Sequence, residues 1–362
     1  MNRETLLDAV TAVGRAVSTR SMIPALSGIR LSGESGKLRL TATDGDISLD
    51  AEIEADVSAG GEVVVPGRLL TDVVRQMPSG AVKIEQPENG SITLGSGNAS
   101  FTLRVLPAED FPQSSAVEGE TVEIPSAEFS QTVERVRKAA SRDETRPHLT
   151  GILLSLDGDQ LRTVATDSYR LAVKTTTLPS AVSVSIEANV PARALDEAVR
   201  IAATGEKITI TPGERQIQFA AGAFRLTSRL IDGQFPDFAQ LLPDSYEHEL
   251  DIDAAELLDA VKRIGLLALR NTPLKLAFSE GELNISAETA DIGAGSEGMP
   301  LAGYSGDPID IGFNPDFLRE GLESAASERI TLKLISAFRP GLIEAGEAGE
   351  FRYLVMPIRL NV

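Results

Sequence analysis

Asp167, Ser168, Tyr169 and Arg170 stand together in the stretch RTVATDSYRLAV, Arg162 to Val173, and are residue types that either an active site or a protein-binding surface would use. Nucleophilic chemistry at Ser168 would need a base within hydrogen-bond reach. No His or Lys recurs with this motif. The two histidines, His148 and His248, are 100 residues apart and show no metal-ligand spacing. GSGNAS, from Gly95, opens no helix and reads as a hairpin turn rather than a phosphate loop. DGDQ, from Asp157, reads as a turn, and the Asp and Glu residues form no calcium loop. No G-x-x-x-x-G-K-[ST] and no G-x-S-x-G is present. What remains is Tyr and Arg beside Leu171, the side chains enriched where proteins hold partners.

The rest of the chain must position that motif. At 362 residues it is too long for one ordinary core, so two or three domains are expected. Hydrophobic content of 42% and charged content of 24% are those of a globular protein in water, with no apolar run of membrane-spanning length. The N-terminus is broken by Asp8 and Arg15, which argues against a secretion signal. The absence of Cys fits a reducing cytoplasm, so Asn-x-Ser matches at Asn89, Asn98 and Asn284 carry no weight. A net charge of −19 excludes a protein that coats DNA by bulk attraction, because that affinity comes from Lys and Arg displacing counterions.

Internal repeats organise the chain. The stretches from Leu6, Phe129 and Leu257 carry apolar residues at offsets 0, 4, 7 and 11: Leu6, Val10, Val13 and Val17; Phe129, Val133, Val136 and Ala140; Leu257, Val261, Ile264 and Ala268. That stripe predicts three amphipathic helices. Each precedes a strand pair, and Leu38, Leu161 and Leu283 within those pairs are 123 and 122 residues apart. Pro66, Pro191 and Pro315 each lead into a second helix, at a position where a missing N–H costs nothing. Pro112, Pro236 and Pro357 close the units. The reading is a triplicated unit of helix, strands, helix, strands, with boundaries near Gly119 and Glu247. TATDGDISL and SAETADIGA are the counterparts of the opening motif. The shared Thr-Asp of the first two copies predicts a turn in which Asp44 and Asp167 bond local N–H groups.

ATDSYRLAV, LIDGQFPDF and the terminal YLVMPIRL, together with the triplication, resemble the β subunits of bacterial DNA polymerase III, the β sliding clamps, over the whole chain. The resemblance implies an α+β fold of three tandem DNA-clamp domains, 1–119, 120–246 and 247–362, each with two helices packed on antiparallel sheets. It implies a head-to-tail dimeric ring held on duplex DNA by topology, independent of sequence, which removes the conflict with the net charge. It also implies a non-catalytic processivity factor with no cofactor and no metal, working in the cytoplasm and away from membranes.

By the same resemblance, helix residues and loops face DNA: Arg20, Arg68, Arg75, Arg137, Lys138, Arg142, Arg146, Arg193 and Arg200, with Arg15, Arg135, Lys262, Arg263, Arg270 and Arg319 belonging to the same helices or their ends. Partners such as the polymerase α subunit, the clamp loader and repair proteins would insert a Gln-and-hydrophobic peptide into a pocket between the second and third domains. That pocket would use Leu149, Thr166, Tyr169, Arg170, Leu171, Pro236, Gln240, Leu241, Phe338, Pro340, Leu354, Met356, Pro357 and Ile358, an apolar cleft with an adaptable Met wall. Gln240 and Pro340 depart from the family pattern, which has room for a basic residue at the first and a small polar residue at the second, and Asn361-Val362 extends past the usual end. Ring closure would pair a sheet edge carrying Phe101 and Leu103 with one flanked by Leu266 and Leu267. Two rivals stand beside this reading: a hydrolase built on paired carboxylates, and a monomeric scaffold without DNA.

Overall fold

A computed structural model describes residues 1–88, 90–113, 117–268, 272–302, 304 and 307–360. Arg270, Asn89 and Asn361-Val362 lie outside the described residues. The first repeat runs α1 (Arg3–Val13), β1 (Gly28–Glu34), β2 (Lys37–Thr43), β3 (Ile47–Glu54), β4 (Gly61–Pro66), α2 (Gly67–Gln76), β5 (Lys83–Glu88), β6 (Ser91–Ser96) and β7 (Ala99–Arg104). The second runs β8 (Val122–Pro125), α3 (Ser126–Val136), β9 (Gly151–Asp157), β10 (Gln160–Thr166), β11 (Arg170–Thr177), β12 (Ile186–Pro191), α4 (Ala192–Ala202), β13 (Lys207–Pro212), β14 (Gln216–Ala221) and β15 (Phe224–Arg229). The third runs β16 (His248–Asp253), α5 (Ala254–Gly265), β17 (Leu274–Ser279), β18 (Glu282–Thr289), β19 (Gly293–Pro300), β20 (Ile309–Phe313), α6 (Pro315–Ala325), β21 (Arg329–Leu334), β22 (Gly341–Ala345) and β23 (Phe351–Val355). Where the later repeats begin with a strand, the first has an isolated bridge, Asn2 to Ala81.

The chain divides into two compact units, Met1–Ala127 with Arg193–Leu230, and Glu128–Ala192 with Ile231–Val362. The first holds an eight-stranded antiparallel sheet, β4-β1-β2-β3-β15-β14-β13-β8; the second holds another, β12-β9-β10-β11-β23-β22-β21-β16. In both, strands of consecutive repeats are joined by backbone hydrogen bonds, with Leu49 opposite Leu226 and Leu171 opposite Leu354. The middle repeat is therefore shared between the two units. Two smaller sheets, β5-β6-β7 and β19-β18-β17-β20, end in strands paired on one side only, among them β7 and β19.

The apolar stripes bury as their spacing requires: Leu6, Val10 and Val13; Phe129, Val133 and Val136; Leu257, Val261 and Ile264. The fourth members, Val17, Ala140 and Ala268, fall beyond the helices: the first two follow last turns that tighten to 3-10 geometry at Gly14–Ala16 and Arg137–Ala139, and the third follows the turn after Gly265. Side-chain caps start α1, α5 and α6, where Asn2, Asp253 and Asn314 accept backbone N–H bonds from the first turn.

The helix α6 comes so close to β23 that a Cβ at Gly321 would lie 2.5 Å from the Tyr353 ring, itself 1% exposed. Gly321→Ala is expected to destabilise by about 1–3 kcal/mol of overpacking, against less than about 1 kcal/mol regained in helix propensity. A lower urea midpoint checks this; an unchanged or higher one contradicts the close packing.

Candidate functional site

The motif that opened the sequence question folds as the tip between β10 and β11. Asp167 Oδ1 accepts from the N–H groups of Tyr169 (2.9 Å) and Arg170 (3.0 Å), and Thr166 Oγ1 donates to the Arg170 carbonyl at 2.7 Å. The first repeat builds the same turn: Asp44 accepts from Asp46 and Ile47, and Thr43 donates to the Ile47 carbonyl. Both turns carry a positive φ at one place, Gly45 in the first and Ser168 (79°) in the second. A non-Gly residue there costs ~1 kcal/mol or more, and the Ser168 hydroxyl instead accepts from Arg146 Nη1 at 2.9 Å. Ser168 is thus occupied by an arginine rather than activated by a base.

Arg170 is 9% exposed and fully engaged. Its Nε donates to Asp167 Oδ2 (3.1 Å), one terminal nitrogen bonds Glu320 and the Tyr353 hydroxyl (3.2 Å), and the other donates to the Lys138 carbonyl at 2.5 Å. The guanidinium also lies 4.4 Å from the Phe317 ring centroid. Burial alone would lower its pKa; Tyr353 and Glu320 outweigh that and raise it. Burial pushes the Tyr353 hydroxyl well above its usual range. The Tyr353 hydroxyl in turn donates to the Phe317 carbonyl at 2.9 Å. Arg170 is a structural clip that fixes the base of the tip.

Around this clip the pocket candidates all fall within one unit, Glu128–Ala192 with Ile231–Val362. Leu171 and Leu354 join Val164, Val173, Phe235 and Leu342 in a buried apolar cluster, against which Phe238, Leu242 and Tyr246 pack. Tyr169, Leu241, Phe338 and Met356 remain exposed, at 60%, 47%, 74% and 43%. These four large exposed apolar side chains lie in the stretches of chain that lead into or out of the buried cluster, close in sequence to Leu171, Leu242, Leu342 and Leu354. Met356 N donates to the Tyr169 carbonyl at 2.9 Å, tying the last strand to the tip. Pro340 and Met356 leave β22 and β23 one residue beyond the Gly341–Val355 pair. Pro236, Pro357 and Ile358 are half-buried, Leu149 and Thr166 are buried, and exposed Gln240 donates to Asp237 Oδ2 at 2.8 Å. Leu149 lies in the 3-10 turn Pro147–Leu149, outside the buried cluster.

The DNA-facing candidates are spread over both units. In the first, Arg20 and Arg68 are exposed, Arg75 pairs with Asp72 at 3.4 Å, and Arg193 pairs with Asp44. Arg15, Arg75 and Arg200 line one depression of about 680 Å³ with Thr11 and Thr204. In the second, Arg137 and Arg142 are exposed, Arg146 pairs with Asp143 at 2.9 Å, and Lys138 pairs with Glu323 at 2.8 Å. Lys138, with Lys262 behind it, holds the Glu323 carboxyl below the usual range. Of the edge candidates, Leu266 is 82% exposed and Leu103 6%, while Phe101 and Leu267 are half-buried. Among the described residues no group of three or more His, Asp or Glu side chains could hold a metal ion. Among the described residues no helix is long and apolar enough to cross a membrane.

Sequence reasoning misses Phe317, Glu320 and Tyr353, which complete the Arg170 clip; Glu320 and Tyr353 lie 150 and 183 residues along the chain from it. The one available signal is a carboxylate at the sixth residue of each second helix, Asp72, Glu197 and Glu320. Arg170→Ala leaves Asp167 and Glu320 without their cation and is expected to cost roughly 3 kcal/mol. Arg170→Lys should recover only part, since an ammonium cannot match the planar fork. Denaturant unfolding of both variants decides; two variants as stable as the parent would contradict the clip.

Comparison with known proteins matches three family models in chain order: the DNA polymerase III beta subunit N-terminal domain over residues 1–115, the central domain over 123–237 and the C-terminal domain over 239–359. The beta sliding clamp of Streptomyces coelicolor is 34% identical over 375 residues, covering 100% of this chain and 99% of that protein. The crystal structure of the Bacillus subtilis DNA polymerase sliding clamp superposes with a TM-score of 0.94 at 28% identity, covering 100% of this chain and 98% of that one. A Pseudomonas aeruginosa sliding clamp bound to griselimycin superposes with a TM-score of 0.93 at 29% identity, covering 99% and 98%. With an antiparallel α+β fold built three times over and three family models matched in order, this chain belongs to the bacterial DNA polymerase III beta subunits, the sliding clamps that serve the polymerase as a non-catalytic processivity factor.

Proposed function

We propose that two copies of this chain close head to tail around duplex DNA by pairing β7 of each copy with β19 of the other. The observation that carries this reading is a strand equivalence. β15 hydrogen-bonds to β3, and β23 to β11. β7 holds the place of β15 in the first repeat, and β19 holds the place of β3 in the third, yet among the described residues neither has a partner on that side. Unpaired edges are an aggregation hazard that closure removes. Carrying over the Leu49–Leu226 register sets Phe101 opposite Gly295 of the second copy. A Cβ on Gly295 would lie 2.6 Å from Leu267, so a bare backbone there leaves Leu267 open to the Phe101 ring, with exposed Leu266 alongside.

A closed ring reconciles DNA binding with a net charge of −19, because linkage rather than affinity would hold the protein. On this reading the chain forms three domains, 1–119, 120–246 and 247–362, and the basic residues Arg20, Arg68, Arg75, Arg137, Lys138, Arg142, Arg146, Arg193 and Arg200 face the duplex. The exposed quartet Tyr169, Leu241, Phe338 and Met356 would receive a Gln-and-hydrophobic peptide of the polymerase, the loader or a repair protein. Work of this kind belongs in the cytoplasm.

Light scattering in line with chromatography is expected to give twice 38.4 kDa, with a small-angle scattering curve that requires a central hole. Leu267→Asp should give monomers; a dimeric variant, or a parent of 38.4 kDa, rejects the pairing. In the pocket, Tyr169→Ala or Met356→Ala should weaken a Gln-and-hydrophobic peptide about tenfold in Kd, ~1.4 kcal/mol, without moving the melting temperature. Unaltered peptide affinity in both would place the partner site elsewhere.

A further inference from the structure

We infer that Glu197 and Glu323 act as built-in counterions that limit how strongly the helix cations hold duplex phosphate, an inference that rests on the reading that those cations face DNA. Glu197, on α4, is 8% exposed. It accepts from Arg15 Nε at 2.5 Å, and Arg200 Nε stands 3.8 Å away. Glu323, on α6, lies 2.8 Å from Lys138 Nζ and 3.3 Å from Lys262 Nζ. Each carboxylate is thus shared by two cations that come from different elements of the chain. Ion pairs one turn apart on a solvated helix are commonplace and worth little. A nearly buried carboxylate paired with a residue 182 positions away is a different object.

The consequence follows from counterion release. A cation gains DNA affinity by displacing condensed ions from phosphate. A cation already neutralised by a fixed carboxylate must first give up that partner, so its gain is smaller. Arg15 and Arg200 both line the depression of about 680 Å³ where a phosphate would approach. A ring held by topology is served by such weakening, since strong phosphate contacts would oppose translation along the duplex. The arrangement leaves part of the basic set, Arg15, Arg200, Lys138 and Lys262, already paired within the protein.

The test is equilibrium binding of the full-length protein to a fluorescein-labelled short duplex, read by anisotropy over a series of salt concentrations. Glu197→Gln and Glu323→Gln are each expected to raise affinity about three- to tenfold at low salt and to steepen the log–log salt slope by ~0.9 for each cation released. Arg200→Ala and Lys138→Ala should do the reverse. Glu187→Gln removes the same charge from an exposed position of β12 that alternates with buried Ile186 and Ala188, and should leave the slope unchanged. Melting curves and in-line mass establish that each variant folds and assembles; if Glu197→Gln does not, Glu323→Gln decides. The inference is overturned if the Gln variants keep the parent slope while Arg200→Ala and Lys138→Ala lower it. It is equally overturned if Glu187→Gln steepens the slope as much, since net charge would then suffice. If Glu197→Gln/Arg200→Ala binds as Glu197→Gln does, and Glu323→Gln/Lys138→Ala as Glu323→Gln does, the freed cations do not meet phosphate, the DNA-facing reading itself fails and the inference falls with it.

Discussion

Backbone hydrogen bonding between consecutive repeats is the constraint on which the remaining features depend. Each repeat ends in a strand whose outer edge cannot be left bare in water without risk, and begins with a strand pair that offers a matching edge. Within the chain the demand is met twice, at β3 with β15 and at β11 with β23, where ladders five residues long run antiparallel. Every side chain near these joins has its face fixed by that register, because a slip of one residue would turn Leu171 and Leu354 out of their apolar cluster. The tip that carries Tyr169 is therefore placed by the join between β11 and β23, and the Arg170 clip locks it to α6. The proposed partner pocket would therefore inherit its rigidity from backbone pairing rather than from the exposed side chains that would touch a ligand.

Charge divides the same molecule differently. The protein is strongly acidic, and several cations of its helices and helix ends have a carboxylate beside them: Asp44 with Arg193, Asp72 with Arg75, Glu197 with Arg15, Glu323 with Lys138. The exposed pairs among them, such as Asp72 with Arg75, contribute little to stability. On the inference drawn above, the value of these pairs would lie in what they subtract from phosphate binding, which would suit a protein held on DNA by closure.

Much of the fold is readable before the structure because the sequence states it three times. A helix stripe such as Leu6, Val10 and Val13 is weak alone, but its return at Phe129 and Leu257, with prolines kept in step, leaves few architectures. Asp44 and Asp167 are readable as turn residues because short-range hydrogen bonds depend only on local sequence. The helix ends are misread at Val17 and Ala140, since an apolar residue can stay on the stripe after the chain has left helical geometry. Arg170 illustrates the opposite limit. Its type marks a partner surface, but its side chain proves to be buried under Phe317 and paired with Glu320 and Tyr353, and nothing local to ATDSYRLAV announces those partners. The sharing of the middle repeat between two sheets is hidden for the same reason: strand pairing is a long-range choice that a periodicity of two leaves open.

The absence of Cys makes the central claim directly accessible to cross-linking. Carrying the internal register to β7 and β19 sets Ser100 opposite Ser296 of the second copy, and Cα atoms of cross-strand neighbours fall within the span a disulfide needs. The measurement is a non-reducing gel of Ser100→Cys/Ser296→Cys after mild oxidation. The account predicts one covalent species of two chains, joined at both seams, with neither single variant cross-linking. A ladder of longer chains would show a contact that repeats without closing, and persistence of monomer would show that these two edges do not meet.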